Sequence, residues 1–132
     1  MQRLPWMDSM NVGIVEIDQD HEAMYYLMGD IARAIHEQNL LLASRLAHSF
    51  LSRVDGHFRF EAELMTRFPY PSADRHNAKH AEARGKVAAL CDALADPADL
   101  ILADQVLDLL ERVYFRDLLT EDLEFARYVL AA

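Results

Sequence analysis

A single cysteine, Cys91, excludes an internal disulfide and a thiolate-built metal site. It falls on the apolar stripe of its segment and reads as a small core residue. Glycine and proline are scarce, four of each, while 52% of the chain is apolar, which argues against disorder and for a mostly helical fold. No apolar run reaches the roughly 18–20 residues that span a bilayer. The stretch from Met1 to Trp6 lacks the basic start and apolar run of a secretion signal, so the expected location is cytoplasmic. Positive charge is also short: 13 Lys and Arg face 22 Asp and Glu, a net −9. Nucleic acid and anionic membrane surfaces both need a basic patch and are disfavoured as partners. No segment alternates like a strand, and no internal repeat is present.

What remains is helical periodicity. At 132 residues one domain is expected, residues 1–132, with a real core. An N-terminal arm to about Glu16 carries the breakers Pro5 and Gly13. A first helix from near Asp18 places Ile17, His21, Met24, Met28, Ile31 and Ile35 at helical spacing and ends before Asn39. A second, about Leu40 to Phe68, is stopped by Pro69 and Pro71. A third follows Ser72 or Asp74 as N-cap. Asp96 and Pro97 then start a fourth that runs to about Tyr128. Short loops between long amphipathic helices make antiparallel neighbours. The predicted fold is all-α: an up-down-up-down antiparallel four-helix bundle with an N-terminal arm.

Polar residues interrupt the apolar stripes in a pattern. His57 lies four before Glu61, and His76 lies four before His80; His21 stands alone on the first stripe. A spacing of four stacks two side chains one turn apart on one helix face. Buried without partners these groups are costly, and a metal supplies the partner. Stripes from three helices meet in one interior, so the five residues converge. Imidazole and carboxylate without sulfur suit Fe, Mn or Zn, and a carboxylate bridge favours di-iron. His36 and His48 lack a partner four residues away and read as surface residues.

These residues in their context resemble the bacteriohemerythrins over nearly the whole chain. The resemblance is carried by Trp6, Val12-Gly13 and Ile17-Asp18 leading to His21, then His57 with Glu61 and Leu64-Met65. Tyr70-Pro71, His76 and His80, and Leu119-Thr120-Glu121-Asp122 complete it. It implies a non-haem di-iron centre that binds O2, with His21 and His57 on the O2-binding iron and His76 and His80 on the other. Glu61 and Asp122 would bridge the two. A helical wheel does not by itself choose Asp122 over Glu121 as the bridge; the resemblance does.

The chain departs from the family on its last helix. Five residues before the bridging aspartate the family has a third histidine for the second iron; here stands Asp117. The family's tryptophan and pocket leucine four and three residues earlier are Val113 and Tyr114. Asp117 is a candidate ligand, reaching metal directly, through a water or after a helix shift. Tyr114 is a candidate pocket residue, able to donate a hydrogen bond or a proton. Three readings follow: a di-iron protein that binds O2 or a related small ligand for carriage, storage or sensing; an oxidase or peroxidase acting on O2 or hydrogen peroxide; a metal-poor binding module. A sensing role would need an unidentified protein partner to read it.

Overall fold

Apolar residues recurring every three or four positions fold into helices that bury that stripe. In the computed structural model, which describes residues 5–132, these are α1 (Val15–His36), α2 (Leu40–Arg67), α3 (Ala73–Ala93), α4 (Leu100–Leu109) and α5 (Phe115–Ala131). A π-helical turn, Leu110–Tyr114, joins α4 to α5, so the last two helices form one continuous rod. Each helix packs on its neighbour in sequence, and α4 returns to α1, which closes an all-α four-helix bundle. No strand occurs among the described residues, and no helix there is long and apolar enough to cross a membrane. The start of the expected arm, residues 1–4, lies outside the described residues.

The connections are short because single residues serve twice. Gln38 adopts φ 58°, the left-handed conformation that ends α1. Its N–H donates to the Ile35 carbonyl at 3.0 Å and the Asn39 N–H to the Ala34 carbonyl at 2.8 Å, a Schellman closure. The Asn39 side chain then accepts from the Leu42 N–H at 3.2 Å and caps α2. Asp96 caps the next start by accepting from Ala98 N–H at 2.9 Å, with Pro97 as first helical residue.

Two boundaries differ from the sequence reading. Helix α1 begins at Val15, three residues before Asp18, so that Ile17 is already buried in its first turn while Val15 and Glu16 are exposed. Asp18 reaches back to accept from Val12 and Gly13 N–H at 2.7 and 3.2 Å, tying the arm to the helix. The fourth helix is interrupted by the π turn, which inserts one residue. The buried positions Ala103, Leu110, Leu118 and Phe125 show why. Seven residues separate the first pair and the last pair, but eight separate Leu110 from Leu118. Absorbing one residue in a π turn restores a seven-residue step, which drifts by only about 20°.

The interior has two halves. One is wholly apolar: Met28, Ile31, Phe50, Leu90 and Leu107, from four different helices, meet near the α1–α2 connection. Each such side chain contributes roughly 1.5–3 kcal/mol by burial. The other half contains the polar cluster described next. We expect Gln38→Gly to raise stability by about 0.5–1 kcal/mol, since it removes left-handed strain and gives back part of the gain as unfolded-state entropy. A urea titration with an unchanged m-value checks this.

Candidate metal centre

Four helices each deliver part of the cluster. His21 comes from α1, His57 and Glu61 from α2, His76 and His80 from α3, and Asp122 from α5. Helical spacing alone sets the α2 and α3 pairs side by side; the bundle brings them face to face. All six are buried, and only His80 keeps as much as 5% exposure.

Asp122 sits at the centre. Its Oδ2 faces His21 Nε2 at 2.7 Å and His57 Nε2 at 2.8 Å, while its Oδ1 faces His76 Nε2 at 3.1 Å and His80 Nε2 at 3.6 Å. Glu61 spans the same gap. Its Oε2 is 2.9 Å from His57 Nε2 and 3.4 Å from His80 Nε2, and its Oε1 is 3.3 Å from His76 Nε2. Each carboxylate therefore faces both histidine pairs. Donor atoms fall into two groups that share Asp122, namely His21 with His57, and His76 with His80 and Glu61.

Only part of this proximity is hydrogen bonding: His21 Nε2 and His57 Nε2 each pair with Asp122 Oδ2. His21 Nδ1, both oxygens of Glu61, both ring nitrogens of His76, His80 Nε2 and Asp122 Oδ1 are buried without a hydrogen-bond partner. Several lie within ion-pair reach of one another without the geometry of a hydrogen bond. One N–H on His57 Nε2 cannot serve Asp122 and Glu61 together. Such orphaned donors and acceptors are rare in folded proteins. Imidazoles and carboxylates converging without sulfur fit two first-row metal ions, and a carboxylate with two oxygens facing two groups can bridge them.

Electrostatics point the same way. Burial alone would lower His57, but the carboxylates of Asp122, Asp20 and Glu61 facing its ring outweigh it and raise its pKa to about 11. His76 is likewise lowered by burial but raised to about 9 by Asp122 and Glu61. Burial pushes the Asp122 carboxyl up, and the four surrounding imidazoles pull it well below its ordinary value. Glu61, pushed up by burial and by Asp122, is held low by His57, His76 and His80.

Sequence reasoning missed the groups behind the histidines. The His57 Nδ1–H donates to Asp20 Oδ2 at 3.1 Å, and Arg53 Nη1 steadies the other Asp20 oxygen at 3.3 Å. This carboxylate fixes the ring so that Nε2 points inward, an arrangement typical of metal-binding histidines. The one available signal was an acid directly preceding His21. Phe58 stacks on His80 with ring centroids 3.8 Å apart. Tyr70 packs edge-on to His76 at 6.1 Å and beside Phe125 at 5.1 Å, which places the Tyr70-Pro71 motif under the cluster.

The structure separates the two acids that the wheel left open. Asp122 lies between the histidine pairs, whereas Glu121 points outward to Arg75 Nη2 at 3.1 Å and Lys79 Nζ at 3.3 Å. Its Oε2 comes no nearer to His76 Nδ1 than 3.9 Å. Asp117 is not brought into the cluster. It is exposed and lines a narrow cleft of about 40 Å³ with His80, Tyr114 and Glu121. Its helix phase turns it toward solvent, next to the buried Leu118. Tyr114 is half-buried at the rim of that cleft, where its hydroxyl donates to Glu82 Oε1 at 3.2 Å. His36 and His48 are exposed, as expected.

Protons and metal compete for this site. His57 and His76 have raised folded-state values of about 11 and about 9, so their stabilisation of the metal-stripped chain is full below the ordinary 6.5. It is lost as pH rises through 9 toward 11. The depressed Glu61 and Asp122 contribute above their ordinary 4.5 and 3.8 and lose it as pH falls through their lower folded-state values. The stripped chain is therefore expected to be most stable in mild acid and to weaken above pH 7. Metal addition at pH 7 should release protons, with affinity rising with pH, as calorimetry in buffers of different ionisation enthalpy would show. Asp20→Asn should lower metal affinity about 10–100-fold while far-UV circular dichroism stays unchanged.

Comparison with known proteins agrees with this geometry. Residues 12–129 match the hemerythrin HHE cation-binding domain. The chain is also 27% identical over 131 residues to a bacteriohemerythrin of Stenotrophomonas maltophilia (strain R551-3), covering 99% of this chain and 84% of that protein. No solved structure matches significantly. A match over nearly the whole chain, on a bundle whose buried polar cluster is of cation-binding type, shows that this protein belongs to the hemerythrin HHE family.

Proposed function

We propose that this chain is a non-haem di-iron protein that binds O2 or a related small ligand, for carriage, storage or sensing. The proposed ligands are His21 and His57 for one iron, His76 and His80 for the other, and Glu61 and Asp122 shared between them. The observation that carries this reading is that Asp122 and Glu61 each face both histidine pairs at 2.7–3.6 Å. Two anions between two imidazole pairs suit a pair of divalent or trivalent ions better than one. Iron supplies reversible one-electron chemistry at each position. The chain supplies a buried site, an inward orientation of His57 through Asp20, and an apolar half that holds four helices in phase.

A second reading is favoured by one observation. Asp117 stands where a third histidine is expected and lies outside the cluster, exposed beside His80. A site with an open position and a nearby phenol suits turnover of O2 or hydrogen peroxide as well as reversible binding.

Iron content per chain and the visible spectrum, before and after anaerobic reduction and return to air, test both readings. Two irons with a repeatable O2-dependent spectrum support binding. Two irons with a fleeting change and a final ferric spectrum support turnover. Less than one iron per chain, from protein made with ample iron, overturns both and leaves a metal-poor module. Asp117→His is expected to lengthen the lifetime of the O2-dependent spectrum; an unchanged lifetime with two irons bound would remove position 117 from the account.

A further inference from the structure

Two openings in the surface reach the histidines, and they differ in what they touch. The larger, about 640 Å³, runs between α1 and α2 over Ser52, Gly56 and Asp20 to His57. It meets the back of that ring, where Nδ1 is already bound to Asp20. The inward-facing Nε2 is on the far side. The smaller, about 40 Å³, lies between α3 and the rod of α4 and α5, and reaches His80. His80 is the most exposed of the four cluster histidines, at 5%, and Asp117, where a third histidine is expected, is exposed on the same cleft.

The opposite end is covered. His21 packs edge-on to Phe115 with centroids 6.3 Å apart, and Trp6 lies across both Tyr25 and Phe115 at 5.7 and 6.5 Å. This aromatic layer stands between His21 and solvent, and the arm's Trp6 is its outer member. Two histidines with shared carboxylates leave coordination positions open at either end. Access therefore decides which end an outside molecule meets.

Resting on the di-iron reading above, we propose that small ligands reach the centre through the α3–α5 cleft, at the His76–His80 end and not at the His21–His57 end that the resemblance implies, and that the cleft turns away anions. Its volume is a few times the ~10–15 Å³ needed to hold one water, which admits a guest of a few heavy atoms. Its walls carry the acids Glu82, Asp117 and Glu121 and the cation Lys79; Lys79 and Arg75 pair with Glu121, which leaves Glu82 and Asp117 to make the mouth acidic on a chain of net charge −9. Anions are repelled from such a mouth. The Tyr114 hydroxyl, bonded to Glu82 across the cleft, partly closes it. Asp117 then acts at the access route, by its charge, and not as a ligand.

Stopped-flow association of nitric oxide with the iron(II)-loaded full chain, and of azide with the iron(III)-loaded chain, tests this. Ala83→Phe fills the cleft and is expected to slow nitric oxide at least about tenfold, roughly 1.4 kcal/mol on the access barrier, at unchanged iron content. Ser52→Phe, in the larger groove, should leave the rate as it was. Tyr114→Phe should speed nitric oxide, and Asp117→Asn should speed azide while leaving nitric oxide unaltered; both stand in if Ala83→Phe folds poorly. Slowing by Ser52→Phe alone, or no response to any cleft variant with iron fully bound, overturns the route and leaves the di-iron reading standing. Iron below one per chain, visible before any ligand is added, removes both.

Discussion

Two carboxylates buried side by side set the terms for this protein. Glu61 and Asp122 are both fully inaccessible, and burial pushes each toward its neutral form. An uncompensated buried carboxylate costs several kcal/mol even after relaxation. Compensation requires imidazoles on all sides, and four histidines on α1, α2 and α3 supply them. Helices α1, α2, α3 and α5 must therefore meet in one rotational phase; a slip of one residue turns a side chain by about 100°. The cluster itself is a weak source of stability, because desolvation offsets most of the attraction. The apolar half of the bundle supplies the binding energy that holds the polar half in place.

The π turn belongs to the same constraint. The rod of α4 and α5 has to present Ala103, Leu107 and Leu110 to the apolar half and Asp122 and Phe125 to the polar half. An uninterrupted α-helix with this sequence would arrive at Leu118 out of phase. One extra residue in the turn corrects the phase at the cost of a wider, less favourable hydrogen-bond pattern. Its position next to the cleft puts Tyr114, the last residue of the turn, at the rim.

The sequence carried whatever follows from spacing within one helix. His57 with Glu61 and His76 with His80 could be paired without a structure because a step of four has one geometric outcome. The four helices and their connections were readable for the same reason, from apolar period and from Asn39, Pro69, Pro71, Asp96 and Pro97. What depended on rotation between helices was not readable. Asp20 lies behind a histidine of another helix, and Trp6 lies over α1 and α5; neither relation leaves a mark in local spacing. The wheel could not separate Glu121 from Asp122, since Asp122 borders the apolar face of the last helix and Glu121 falls within it. Arg75 and Lys79 on α3 draw Glu121 outward, which only the packed bundle reveals. Asp117 failed to join the cluster for a related reason: composition names a possible ligand, but reach depends on side-chain length and helix phase.

The outward position of Asp117 also follows from charge. Drawn into the cluster, it would be a third anion desolvated beside Glu61 and Asp122, whose mutual repulsion already works against ionisation. At the rim it keeps its hydration and costs little. A histidine at the same position could enter neutral and bring a lone pair without adding charge. Replacing histidine by aspartate thus does more than shorten a side chain; it changes the sign of the electrostatic work needed to occupy the site. The acid stays in water, the His80 end keeps its opening, and the mouth of that opening becomes acidic. The two ends of the cluster consequently differ in kind: one lies under the rings of Phe115, Tyr25 and Trp6, the other beside a cleft lined by acids.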